Sequence, residues 1–140
     1  SIHSPCFYSK DAKVNTDAYI NAMKKSFVKI IGHPDDSRVP IELERFVLSC
    51  KEYGVLPEIN NSSIASTSFR VGAFDNVCML LELCKKYEVD VIFGSDAHYC
   101  ELIGNFENCM RAVQKVDFPL EQVVNTNPLK IKKYFKIEVE

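Results

Sequence analysis

No stretch of this 140-residue chain approaches the roughly 18 consecutive apolar residues of a membrane span, which excludes a transmembrane helix. No charged segment leads into an apolar core, so none of the chain reads as a secretory signal. An excess of one charge is also missing. A net charge of -2 and an isoelectric point near 5.9 provide no basic field to draw in nucleic acid. There is no Gly-x-Ser-x-Gly elbow, no Walker loop and no dinucleotide fingerprint, which sets aside three common catalytic scaffolds. The six cysteines contain no Cys-x-x-Cys pair. Cys50, Cys78, Cys84 and Cys109 fall at apolar positions of helical patterns, as reduced core cysteines of a cytoplasmic protein do. Cys6 and Cys100 lie near histidine motifs but off the strand ends, and neither has the context of a thiol catalyst.

What is present is an ordinary globular composition, 46% hydrophobic and 26% charged, in a length suited to one domain over 1–140. Three β-branched, mostly apolar runs read as strands: 27–31, 54–59 and 89–93, the second weakened by Pro57. Ser1-Ile2-His3 reads as the tail of a fourth. Helical patterns lie between them. Asn15-Thr16-Asp17 offers a cap for a helix to about residue 25, and Pro40 an opening for the next. Leu43, Phe46, Val47 and Cys50 share one face of that helix. Asp75 precedes a stripe of Val77, Leu80, Leu81 and Cys84; Phe106, Cys109, Met110 and Val113 form another. Short helices are expected at 120–124 and 128–135. Strands alternating with helices imply right-handed crossovers and a parallel sheet, an α/β fold with its site at the carboxyl ends of the strands.

Only three histidines occur, and each stands at a strand end: His3 before Ser-Pro, His33 before Pro34, and His98 in Gly94-Ser95-Asp96-Ala97-His98. In an extended segment Asp96 and His98 point to one side. An imidazole and a carboxylate converging there suit zinc, manganese or iron, and such an ion supplies hydroxide at neutral pH. Taken alone, the Asp-x-His pair is equally a cap with a loop histidine, and His33-Pro34 equally a strand stop. Glu58 reads first as a satisfied backbone partner and second as a ligand or base. Arg70, in the Ser- and Asn-rich loop 60–72, is either a phosphate clamp or a solvated guanidinium, with Asn61, Ser62 and Ser63 as accessory donors.

Ile2-His3-Ser4-Pro5, Ile31-Gly32-His33-Pro34, Glu58-Ile59-Asn60-Asn61-Ser62-Ser63 and Gly94-Ser95-Asp96-Ala97-His98 together carry a family resemblance. Weaker anchors are Ile103-Gly104, Phe106-Glu107, Val116-Asp117-Phe118-Pro119, and Val124-Asn125 before Asn127-Pro128. Over nearly its whole length the chain resembles the C-terminal half of PHP-domain (polymerase and histidinol phosphatase) metal-dependent phosphoesterases, above all the small stand-alone bacterial phosphatases. The resemblance implies the C-terminal part of a distorted (β/α)7, TIM-like barrel with a trinuclear metal cluster at its carboxyl rim. It implies that His3 and His33 bind one metal, Asp96 a second and His98 a third, with Arg70 on substrate phosphate. Metal-activated water then hydrolyses a small phosphomonoester. The family's opening His-x-His motif and bridging glutamate have no counterpart here, so the full cluster needs ligands from outside the chain. Asp35-Asp36 replaces the small polar pair usual after His-Pro and changes the local charge. The expectation is a fragment whose open barrel self-associates or pairs with a missing N-terminal half. The alternative is a non-catalytic half-barrel remnant acting as a binding or assembly module.

Overall fold

Three short strands, β1 (Ile30–Ile31), β2 (Leu56–Asn60) and β3 (Ile92–Gly94), form a parallel sheet in the order β1-β2-β3. The computed structural model describes residues 9–136, so the expected strand at Ser1-Ile2-His3, the ligand His3 and Cys6 lie outside the described residues. Ile30 pairs with Leu56 and Ile31 with Pro57, while Glu58, Ile59 and Asn60 pair with Ile92, Phe93 and Gly94. The helices are α1 (Ala12–Met23), α2 (Leu43–Tyr53), α3 (Ala73–Tyr87), α4 (Glu107–Val116) and α5 (Pro128–Phe135). α1 packs on α2, α2 on α3 and α3 on α4. Parallel strands in unbroken sequence order need crossovers of one hand, and these set the connecting helices in a row on one face. The α/β expectation holds.

Pro57 stands in the central strand without disrupting it. The Leu56 amide donates to Lys29 O on the β1 side and the Asn61 amide to Gly94 O on the β3 side. Alternation therefore turns the Pro57 nitrogen toward β3, one step before the β2–β3 register begins at Glu58. The missing N–H costs no rung of that ladder. The outer edge of β3 is also closed. Val91 bridges Val123, and the Asn125 side chain accepts from the Phe93 amide at 2.7 Å and donates to its carbonyl at 3.1 Å. The open edge expected of a partial barrel is thus covered on this side.

The helix stripes land where their spacing puts them. Phe46, Val47, Cys50, Val77, Leu80, Leu81, Cys84, Cys109 and Val113 are buried, with Leu43, Phe106 and Met110 packed partly against them. Cys50, Cys78, Cys84 and Cys109 are buried free thiols and Cys100 an exposed one. Among the described residues no helix is long and apolar enough to cross a membrane. Three helix starts differ from expectation. Asp11, not 15–17, caps α1 by accepting from the Lys13 amide at 2.9 Å. Asn15 and Thr16 turn inward instead: Asn15 donates to Pro40 O and Thr16 accepts from the Glu42 amide, both at 2.8 Å, which fastens α1 to the entry of α2. Pro40 therefore lies ahead of α2, which starts at Leu43. The residue that leads into α3 is Gly72, whose φ of +78° suits a residue without Cβ. Asp75 falls inside the first turn, where the helix dipole favours a carboxylate.

Phe46 is fully buried and meets Tyr19 edge to face at 5.7 Å, so Phe46→Ala is expected to lose about 3–5 kcal/mol of unfolding free energy. Leu48→Ala on the exposed side of α2 is expected to cost less than about 1 kcal/mol. Urea denaturation of both variants measures the contrast.

Candidate functional site

The carboxyl ends of β1, β2 and β3 lie side by side, with β1 and β3 about 10 Å apart across β2. Glu58 on β2 joins them. Its Oε2 accepts from the His33 amide at 3.2 Å, and its carboxylate lies so close over Gly94 that a Cβ there would stand 2.1 Å from Oε1. The first reading of Glu58, as a backbone partner, is therefore what the structure shows. Gly94 leaves room for this close approach, and its backbone angles do not call for glycine.

His33 follows β1 by two residues and Asp96 follows β3 by two, with φ of +52° and +54°. Among the described residues five non-glycines have positive φ, and Glu88, Asp117 and Lys136 close α3, α4 and α5, a usual place for that conformation. His33 and Asp96 close no helix. Holding each costs on the order of 1 kcal/mol, and such strain gathers at functional positions. It also corrects the expectation for Asp96 and His98. Because Asp96 is left-handed, the segment is not extended and the two side chains do not share a side by alternation. His98 folds back so that its Nδ1 lies 2.9 Å from Asp96 O, and its ring is exposed. A carbonyl only accepts, so Nδ1 carries the proton and Nε2 is the nitrogen with a lone pair.

The loop after β2 supplies the remaining parts. Ser63 is fully buried; its Oγ lies 2.9 Å from His33 Nδ1 and its amide donates to Asn60 Oδ1 at 2.9 Å. Asn61 has a structural task at its acceptor oxygen. Its Oδ1 accepts from the Asn108 and Cys109 amides at 2.8 and 3.2 Å and so caps α4, whose own N-cap residue, Phe106, provides no side-chain bond. Ser62 donates to Ser95 O at 3.0 Å and ties this loop to the β3 exit. Arg70 is 14% exposed, donates from Nε to Asp36 Oδ2 at 3.3 Å and stacks on Phe69 with its Cζ 4.7 Å from the ring centre. It lines a cavity of about 310 Å³ together with Ser63, Ser66, Ser68 and Arg111. Arg111 had no signal in the sequence, because its place on this wall depends on how α4 packs.

Two neighbouring carboxylates behave oppositely. The Arg38 side chain, bonded to Asp36 through Nε at 2.9 Å and Nη2 at 2.6 Å, holds Asp36 down to about 2. Asp35 is 1% exposed, and neither carboxylate oxygen has a hydrogen-bond partner among the described residues. Burial pushes it up to about 6, against the opposing pull of its own amide, the Arg70 charge and the nearby Ser63 hydroxyl. Burial likewise pushes the Cys84 and Cys109 thiols up to about 12, so neither is a thiolate at neutral pH. Among the described residues no three His, Cys, Asp or Glu side chains are grouped to hold a metal. His33, Asp96 and His98 occupy one rim without forming a closed ligand set.

No protein-family model matches the chain. It is 40% identical over 136 residues to a probable phosphatase of Clostridium novyi, covering 97% of this chain and 55% of that protein. It is 41% identical over 138 residues to a probable phosphatase of Caldanaerobacter subterraneus, covering 97% and 53%. A probable phosphatase of Thermoanaerobacter pseudethanolicus is 39% identical over 137 residues, with 97% and 55% covered. The chain spans about half the length of the curated relatives it matches.

The Asp36 carboxyl lies below its ordinary 3.8, so its contribution is complete above that value and lost as pH falls toward about 2. Asp36→Asn is expected to remove about 1–2 kcal/mol at neutral pH, the outward-facing Arg38 being partly screened, and to flatten the acid limb of stability measured by urea titration. Gly94→Ala is expected to displace the flexible Glu58 carboxylate and free the His33 amide. Hydrogen exchange at His33 should quicken by about tenfold while global stability changes little.

Proposed function

We propose that the chain is part of a metal-dependent phosphoesterase of the PHP type, the C-terminal strand-helix units of a (β/α)7 barrel. The observation that carries this is the placing of His33 and Asp96, both in left-handed conformations, just past the ends of two strands of one parallel sheet. Its context is a chain alike over 97% of its length to proteins named probable phosphatases. An unbroken strand order with helices in a row is compatible with the winding of a barrel and lends support to this reading.

The residues present fit divalent metal. Neutral imidazole and carboxylate are donors that zinc, manganese and iron all accept. Both described histidines have Nδ1 engaged, His33 with Ser63 and His98 with a carbonyl, the usual way a ligating ring is oriented through its other nitrogen. His3, His33, Asp96 and His98 are the proposed ligands within this chain, part of a larger set. Bound there, the ions supply Lewis acidity and activate water for attack on phosphorus. Arg70 binds the phosphoryl oxygens: Asp36 engages its Nε, and its Nη groups have no hydrogen-bond partner among the described residues. The substrate is a small phosphorylated molecule, and the free thiols suit a reducing compartment such as the cytoplasm.

A second reading, a non-catalytic half-barrel used for binding or assembly, draws support from the incomplete ligand grouping. It also draws on the exposed side chains Phe27, Phe69, Val71, Tyr99 and Ile103. One pair of measurements separates them. The phosphoesterase reading expects bound transition metal by elemental analysis and hydrolysis of p-nitrophenyl phosphate that falls about 100-fold or more in His33→Ala and in Asp96→Ala. Hydrolysis unchanged in both variants rules it out, and no metal with no turnover supports the second reading.

A further inference from the structure

The cavity beside Arg70 holds a second guanidinium that the proposed chemistry leaves unused. Arg70, from the loop after β2, and Arg111, from α4, line the same space of about 310 Å³. Two cations on one wall repel each other unless an anion answers them. Other arginines of this chain are paired with acids: Arg38 with Asp36, and Arg45 with both Asp17 and Glu42. Asp75 shares the cavity wall, yet it forms no ion pair with Arg70 or Arg111 among the described residues. The space is thus bordered by two positive side chains and one negative.

Arg111 is held in place, although its side chain is open to solvent. Its Nη1 donates to Asn108 Oδ1 at 3.1 Å, and its Cζ lies 5.4 Å from the centre of the Phe74 ring. Asn108 is in turn fixed to the rim. Its amide donates to Asn61 Oδ1 at 2.8 Å and its side chain to Asn61 O at 3.3 Å. Nε and Nη2 of Arg111 have no hydrogen-bond partner among the described residues, and neither do the Nη groups of Arg70. The Ser68 hydroxyl, which accepts from the Arg70 amide at 3.1 Å, keeps its own proton to give. Ser63 joins the cavity to the rim, because its Oγ lies 2.9 Å from the His33 ring.

A guanidinium matches a carboxylate or a phosphate through paired N–H donors, so two of them lining one small cavity fit a molecule with two anionic groups. We propose that Arg111 sets specificity at the proposed site by binding a second anionic group, carboxylate or phosphate, on the small substrate whose first phosphate Arg70 holds. The volume lies at the low end of ligand pockets, roughly 300–1,000 Å³, which suits a short carbon chain between the two groups. The proposal rests on the phosphate reading of Arg70.

Calorimetric titration of the chain tests it and needs neither metal nor turnover. The probes are propylphosphonate, with one anionic group, phosphonopropionate, with an added carboxylate, and propylenediphosphonate, with a second phosphonate. At least one of the two-headed probes is expected to bind about tenfold or more tighter than propylphosphonate, and which one does so separates carboxylate from phosphate as the second group. Arg111→Gln, on the exposed side of α4, is expected to bring that ratio to within about twofold of unity, while Arg111→Lys keeps part of it. Arg70→Gln is expected to weaken all three probes by about tenfold or more. Equal binding of the three probes by the unaltered chain would overturn the proposal, as would a ratio that survives Arg111→Gln. Absence of binding by all three, or affinities unchanged in Arg70→Gln, overturns instead the phosphate reading of Arg70, and the proposal with it.

Discussion

Three parallel strands in unbroken sequence order impose the constraint on which the rest of the molecule depends. Each crossover must return the chain to the same end of the sheet, so every strand exit opens on one rim. Alternation along β2 then divides the roles. Ile59 faces the packed helices and joins the main core, while Leu56, Glu58 and Asn60 share the opposite face. A carboxylate can stand in the middle of a central strand because its partners, the His33 amide and the space over Gly94, lie on that polar face. The helix stripes supply the hydrophobic burial, and the rim is free to be polar and strained.

The rim is held by side chains that answer backbone groups of other segments. Asn61 caps α4 from a distant loop, Ser62 binds the carbonyl of Ser95, and Asn125 takes the place of a neighbouring strand beside Phe93. These contacts stiffen the exits of β2 and β3. That stiffness, with the Glu58 and Ser63 contacts to His33, is what allows His33 and Asp96 to remain left-handed and Asp35 to remain buried without a hydrogen-bond partner among the described residues. A loosely held loop would relax all three.

Much of the fold was legible along the chain. The stripes on α2, α3 and α4 follow from spacing alone, because a residue's face on a helix is set by its position modulo the turn. Helix starts were less legible. Asn15, Thr16 and Pro40 have the chemistry of caps and openings, but their polar groups found partners in each other's segments, where burial makes an answered hydrogen bond worth more. The site was legible as a set of residue types and not as a geometry. His33, His98, Asp96 and Arg70 stood out by context, whereas Asp35 and Arg111 gained their places only through packing.

By itself the sequence determined the α/β alternation, the apolar stripes, and the gathering of imidazole and carboxylate residues at strand ends, since these rest on local periodicity and on which residues follow a β-branched run. Tertiary structure alone decided that Glu58 bridges two strand exits, that Asp96 leaves its strand left-handed so that His98 folds back, and that Ser63 meets the His33 ring. Most of those relations join residues far apart in the chain, as His33 and Ser63 are at 30 positions. They depend on sheet register and loop packing, which no local pattern encodes.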